Sequence, residues 1–145
     1  MKVSTKGIYG LKAMVDLAYY SNKEEVVTLK SISERQEISE RYLEQIFSLL
    51  RKKGIIKGRK GSQGGYTLVY SPSEITIGQI LRSLEGELIL VNTEDYNKDK
   101  LERCINSNIW DKLNFSVNQF VDSITLEKLV EEYKKVNEDV IMYYI

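Results

Sequence analysis

The stretch 39–70, SERYLEQIFSLLRKKGIIKGRKGSQGGYTLVY, changes its apolar period once, and that change constrains the fold more than composition does. Leu43, Ile46, Phe47 and Leu50 fall at i, i+3, i+4 and i+7, the spacing of one buried helix face. Ser39 can cap this helix, and Glu40 places an acid in the first turn, where the helix dipole favours it. Lys52, Lys53 and Gly54 supply the cations and the C′ glycine of a helix end. Beyond Gly54 the period drops to two. Ile55 to Lys60 and Tyr66 to Tyr70 read as short strands joined by Gly61-Ser62-Gln63-Gly64-Gly65, a hairpin with a five-residue loop.

Helical spacing also precedes this unit. Ser4 or Thr5 can cap a first helix carrying Ile8, Leu11, Met14, Val15 and Ala18, which should fade near Ser21-Asn22. Thr28 can cap a short second helix through Leu29, Ile32 and Arg35, broken at Gln36-Glu37-Ile38. After the hairpin, Thr76-Ile77-Gly78-Gln79 has the form of a capping box opening a helix through Ile80, Leu81 and Leu84, with Gly86 as its stop. Residues 87–100 read as an acidic, irregular and mobile connection. From about Asp99, Leu101, Ile105, Ile109, Leu113, Val117, Phe120 and Ile124 recur every three or four residues. A second stripe, Trp110, Phe120 and Val121, leaves more apolar surface than one face can bury. Such a helix either packs on its own domain or crosses its copy in a second subunit. Residues 125–136 predict one further short helix.

Composition narrows the chemistry. The 145 residues include no histidine and one cysteine, Cys104, so Ser-His, Cys-His and His-metal chemistry are unavailable and no metal site is expected. No apolar run approaches the ~18 residues of a membrane span, and no signal-peptide core follows Met1, which predicts a soluble cytoplasmic protein. The net charge of zero conceals a split: residues 1–70 carry 13 Lys/Arg against 7 Asp/Glu, and residues 71–145 carry 8 against 14. The basic half suits a polyanion, and RKKGIIKGRK (51–60) holds six cations and no acid.

Helix, three-residue turn, helix and basic Gly-tipped hairpin is the order of a winged helix-turn-helix. The fold class expected is mainly α, with a two-stranded wing and a long C-terminal dimerisation helix. A DNA-binding domain would span 1–86, and the dimerisation helix and tail 87–145. Burying Leu43, Ile46, Phe47 and Leu50 turns Arg41, Glu44, Gln45, Ser48 and Lys52 to the opposite face. That face is either the wet side of a surface helix or a set of base-reading side chains, since Arg and Gln can pair bidentately with guanine and adenine edges and Glu can accept from cytosine. The Gly loop fits no nucleotide site: Lys60 precedes Gly61-Ser62, the wrong order for a P-loop, and the loop joins two strands rather than a strand and a helix. A wing needs only backbone N–H groups near phosphates, with Arg59 and Lys60 as counter-charge. No enzymatic role is expected.

MKVSTKGIYGLKAMVDLA, ISERQEISERYLEQIFSLLRKKGIIKGRKGSQGGYTL and ITIGQIL resemble the Rrf2 family of bacterial winged-helix regulators, and the similarity resumes at WDKL and SITLEKLV. The resemblance implies a homodimer that exchanges the long helix across its two-fold and binds a partly palindromic double-stranded operator. It implies base reading by Arg41, Glu44 and Gln45 and a wing role for Lys60, Gly61, Ser62, Gln63 and Gly64. Lys6 and Tyr9 become backbone contacts, beside Ser39, Lys52 and Arg59. Dimerisation falls to Leu101, Ile105, Ile109, Trp110, Leu113, Val117 and Phe120.

Cluster-binding members of the family carry three cysteines. Here only Cys104 stands at such a position, with Lys98, Asn92 and Ser107 at the others, so neither an iron–sulfur cluster nor another cofactor is expected. Cys104 is then a helix-side cysteine or a redox-sensing thiol. The tail Ile141-Met142-Tyr143-Tyr144-Ile145 resembles the M-F-Y-I ending of the branch that controls cysteine metabolism. That branch implies a repressor modulated by O-acetylserine thiol-lyase, whose active site would take Tyr143, Tyr144 and Ile145; a terminal aromatic cluster packed on its own dimer is the alternative. A sibling regulator answering iron–sulfur status, nitric oxide or redox, and a protein-interaction module acting on the thiol-lyase, are the other functions to separate from it.

Overall fold

The computed structural model describes residues 2–21, 25–62 and 64–144, with side chains described through Glu138. Met1, residues 22–24, Gln63 and Ile145 lie outside that set. Three helices lead, α1 (Thr5–Tyr20), α2 (Leu29–Gln36) and α3 (Glu40–Lys52), followed by an antiparallel hairpin, β1 (Ile56–Arg59) and β2 (Gly65–Leu68). The regular ladder loses Ile55 and Lys60 from the first expected strand, while the second gains Gly65 and ends at Leu68, with Val69 N still donating to Ile55 O at 2.9 Å. Helix α4 (Ile77–Glu85) comes next. A continuous helix then runs over residues 100–123, as α5 (Lys100–Ile105), a π-helical turn (Asn106–Trp110) and α6 (Asp111–Ser123), before α7 (Leu126–Tyr144). The chain is mainly α with a two-stranded wing, as expected.

Capping fixes most boundaries. Thr28 Oγ1 accepts from Ser31 N, Ser39 Oγ from Tyr42 N, and Thr76 forms a complete capping box with Gln79. The turn between α2 and α3 puts Glu37 in the left-handed region at φ 56°, a conformation that glycine or asparagine adopts more readily. At the N-terminus the expected cap is replaced. Ser4 occupies the N-cap position, but the carboxylate of Glu85 in α4 accepts from Ser4 N, Ser4 Oγ and Gly7 N. A charged acceptor from a neighbouring helix satisfies the free N–H groups better than a hydroxyl would.

The core lies where α1, α3, α4 and the wing meet. Met14, Leu17, Ile32, Leu43, Ile46, Phe47, Leu50 and Ile80 are fully buried. Gly10 lets α1 approach α4, since a Cβ there would collide with Leu84 Cδ1. The second half of the chain joins this core: Val121, Leu126 and Val130 are buried in it. The start of α4 is stitched to the turn after α6 by Ile77 N to Ile124 O (2.9 Å) and Leu126 N to Ile75 O (2.8 Å).

Two expectations fail here. The connection after α4 is not loose. Leu88 is buried, and the backbone of 88–96 is held by asparagines of the long helix: Asn118 Nδ2 donates to Leu88 O, Asn114 Nδ2 to Val91 O, and Asn106 Nδ2 to Tyr96 O, at 2.7–2.9 Å. An irregular segment is ordered when a neighbour supplies its missing hydrogen-bond partners. The last helix is also longer than 125–136, reaching Tyr144. Polar residues 137–139 weaken its apolar period without breaking the helix.

Candidate nucleic-acid interface

Helix α3 is sharply two-sided. With Leu43, Ile46, Phe47 and Leu50 at zero exposure, Arg41, Glu44, Gln45, Ser48 and Lys52 stand exposed on the other side. None of Arg41, Glu44, Gln45 or Lys52 has a side-chain hydrogen bond or ion pair among the described residues. Their polar groups are therefore free to pair with an external surface.

Both ends of this face are anchored. At its start, Tyr42 meets Tyr9 edge-to-face at 6.1 Å, and its hydroxyl lies 3.1 Å from Thr5 Oγ1. This seats the first turns of α1, with half-buried Lys6 and exposed Tyr9, beside Ser39 and the opening of α3. At the far end, Phe47 packs edge-to-face on Tyr66 of β2 at 5.0 Å, which fixes the wing against the helix. Val27 extends the wing from the other side, pairing with Tyr66 through two backbone hydrogen bonds of 2.8 and 3.0 Å.

The wing tip is open and basic. Gly61 takes φ +110° with nothing near an imagined Cβ, so the turn needs glycine for its backbone and not for space. Gly64 N closes the turn on Gly61 O at 3.0 Å; Ser62 is exposed, and Gln63 lies outside the described residues. Between α3 and the wing is a cleft of about 190 Å³ lined by Arg51, Gly58, Arg59, Lys60, Gly65 and Tyr66. The fold thus brings Arg59 and Lys60 together with Arg51, which reading in sequence order had left in a general basic run. A cationic end facing a hairpin was the available signal.

Not every arginine is free for an external partner. Arg35 donates to both oxygens of Asp16 at 2.7 and 2.9 Å, with its guanidinium 3.9 Å from the Tyr20 ring centre. The Asp16 hydrogen bond raises the Arg35 pKa further. Gln36 Nε2 also donates to Asp16, so α1 and α2 are locked by a buried polar cluster that no helical period announces. Arg82 on α4 likewise grips Asp122 and Asn118 of α6. Hydrogen bonding to Arg82 holds the Asp122 carboxyl below its ordinary range.

The second predicted surface is on the long helix. Leu101, Ile105, Ile109, Leu113 and Phe120 are exposed, Leu101 at 68% and Phe120 at 65%, while Trp110 and Val117 are half-buried. Val121, from the proposed second stripe, is instead buried in the core. Cys104 is exposed, with Asn108 Nδ2 3.7 Å from its sulfur. The side chains of Tyr143, Tyr144 and Ile145 fall outside the described residues. No described helix is long and apolar enough to cross a membrane.

Residues 3–132 match the Rrf2 family, described as an iron-dependent transcriptional regulator. The chain is 40% identical over its full length to the full length of the HTH-type transcriptional regulator CymR of Bacillus subtilis (strain 168). A solved structure of CymR (YrzC), the global cysteine regulator of B. subtilis, superposes with a TM-score of 0.78 at 39% identity, over 91% of this chain and 98% of that one. The T. potens IscR structure is as close, with a TM-score of 0.75 at 41% identity, over 94% and 90%. The residues present do not fit an iron site of the family's kind. Cys104 is the chain's single cysteine and is exposed, and no group of three or more His, Cys, Asp or Glu among the described residues could hold a metal.

Proposed function

Since the chain belongs to the Rrf2 family of transcriptional regulators, we propose that it is a homodimeric, sequence-specific DNA-binding repressor of cysteine and sulfur metabolism genes. The observation that carries the DNA-binding half is the pairing of two surfaces. An unpartnered polar face on α3 lies beside a cleft in which three cations converge with the wing backbone. In this reading Arg41, Glu44 and Gln45 enter the major groove, while Arg51, Arg59, Lys60 and the Gly61–Gly64 turn follow the phosphates. Lys6, Tyr9, Ser39 and Lys52 contact the backbone on the flanks.

Operator titration at several salt concentrations tests the assignment. Lys60→Ala should weaken binding to every sequence and reduce the salt slope by about 1, whereas Gln45→Ala should cost about 1–3 kcal/mol on the operator alone and relax the choice of base. Unchanged binding in both variants would refute the interface.

The dimer in this reading is supported by the exposed row Leu101, Ile105, Ile109, Leu113 and Phe120, with half-buried Trp110 and Val117 continuing it. The cysteine branch is supported by full-length similarity to CymR and by the resemblance of the Tyr143-Tyr144-Ile145 tail. If O-acetylserine thiol-lyase is the modulating partner, deleting Tyr144 and Ile145 should abolish its co-purification with the repressor. A second reading, a regulator answering iron–sulfur status, is favoured by the equal likeness to an IscR. Visible-range absorbance in the purified dimer would select it.

A further inference from the structure

The last turn of α4 reaches two distant parts of the molecule. Arg82 donates to Asp122 and Asn118 of the long helix at 2.8 Å. Three residues on, one oxygen of the Glu85 carboxylate accepts from Ser4 N (2.9 Å), Ser4 Oγ (2.6 Å) and Gly7 N (2.9 Å) at the start of α1. The Glu85 contact is built from both sides. Gly7 is buried, and a Cβ there would collide with Glu85 Oε1, so glycine is what leaves room for the carboxylate. Ser4 stands at the N-cap position in an extended conformation, yet its hydroxyl does not cap its own helix and donates to Glu85 instead. Two ordinary local devices, a capping serine and a helix-favouring side chain at position 7, are replaced by one long-range contact.

The segment held in this way carries Lys6 and Tyr9. Lys6 lies between the two residues that Glu85 grips, and Tyr9 packs edge-to-face on Tyr42 of α3 at 6.1 Å. Neither the Lys6 ammonium nor the Tyr9 hydroxyl has a hydrogen bond or ion pair among the described residues. A helix start without a cap frays, because its first N–H groups have no partner within the helix. Side chains on a frayed turn must be ordered when they bind, and that ordering weakens a complex.

We propose that Glu85 is a positioning residue of the DNA interface: by clamping Ser4 and Gly7 it holds Lys6 and Tyr9 where they meet the DNA backbone, without touching DNA itself. The assignment rests on the DNA-contact reading of Lys6 and Tyr9. Because Arg82 ties the same turn of α4 to the long helix, the start of α1 is also held in a fixed relation to that helix.

Operator titrations of the intact protein over a range of salt concentrations test the assignment. Glu85→Ala should weaken operator binding about tenfold and lower the salt slope by about 1 per protomer, as though Lys6 had lost its phosphate. Removal of a negative charge alone would instead tighten binding, and a general loss of stability would leave the slope unchanged. Glu85→Gln, which keeps an acceptor oxygen and removes the charge, should stay within about threefold of the wild type. Gly7→Ala should reproduce the loss seen in Glu85→Ala, because its methyl group displaces the carboxylate. Alanine is the better helix former, so that loss cannot come from a weaker helix, and the test does not hang on the folding of Glu85→Ala. In a Lys6→Ala, Tyr9→Phe background, Glu85→Ala should cost less than about twofold, since the groups it positions are gone. A full tenfold cost in that background, an unchanged salt slope, or wild-type binding by Gly7→Ala would overturn the assignment alone. Wild-type operator binding by the Lys6→Ala, Tyr9→Phe protein would overturn the reading of α1 on which it rests, and the assignment with it.

Discussion

Helix α3 and the long helix of residues 100–123 are both amphipathic, yet they are turned in opposite senses. On α3 the apolar side chains face inward and the unpaired Arg41, Glu44 and Gln45 face outward. On the long helix Asn106, Asn114 and Asn118 face the body of the protein and hydrogen-bond the 88–96 backbone. Much of its apolar row, Leu101 to Phe120, faces out. The first arrangement is complete in a single chain and presents polar chemistry to a partner. The second leaves exposed area that an isolated soluble domain rarely tolerates. Under the proposed function the two surfaces take different partners, a charged polymer for one and an apolar surface for the other.

Single substitutions on the two helices test this contrast. The largest effect is expected at Phe47, fully buried and packed edge-to-face on Tyr66. Phe47→Ala should cost about 3–5 kcal/mol of unfolding free energy in a denaturant titration, with no dependence on protein concentration. Asn118→Leu comes next. It removes the bonds to Leu88 O and Arg82, and about 1–3 kcal/mol should be lost together with hydrogen-exchange protection of the 88–91 amides. A smaller loss without exposure of those amides would mean that the asparagines do not order the connection.

Phe120→Ala should behave unlike either. Its side chain is 65% exposed, so the stability of dilute protein should change by less than about 0.5 kcal/mol. The dimer dissociation constant, followed by sedimentation, should rise by about tenfold. Loss of stability at every concentration would make the row part of the chain's own core and remove the contrast. The smallest effect belongs to Asp122, whose carboxyl is lowered by the Arg82 hydrogen bond. A depressed folded value means stabilisation above the ordinary aspartate value of 3.8, lost as pH falls through the lowered one. With the Asp122 side chain 45% exposed, water screens the pair, so Asp122→Asn should cost at most about 1 kcal/mol at pH 7, and the difference should close in strong acid. A difference independent of pH would assign the cost to shape rather than charge.

Elements whose causes are local can be read from the residues alone. Apolar spacing in 43–50, the caps Thr28, Ser39 and Thr76, and the glycines at 54 and 86 are enough to place α2, α3, α4 and their ends, because caps and helical faces act within a turn or two. The hairpin and the outward face of α3 followed from the same short-range rules. Contacts between residues far apart in the chain emerge only once the helices pack. Glu85 caps α1 from 78 and 81 positions away, Arg35 is committed to Asp16, and Arg51 joins Arg59 and Lys60 across a cleft. Asparagines that look like ordinary polar positions on a surface helix instead order an acidic segment that reads as loose. A polar side chain carries no period that reveals whether it meets water, another chain or a backbone, so its role is fixed only when the fold supplies the neighbour.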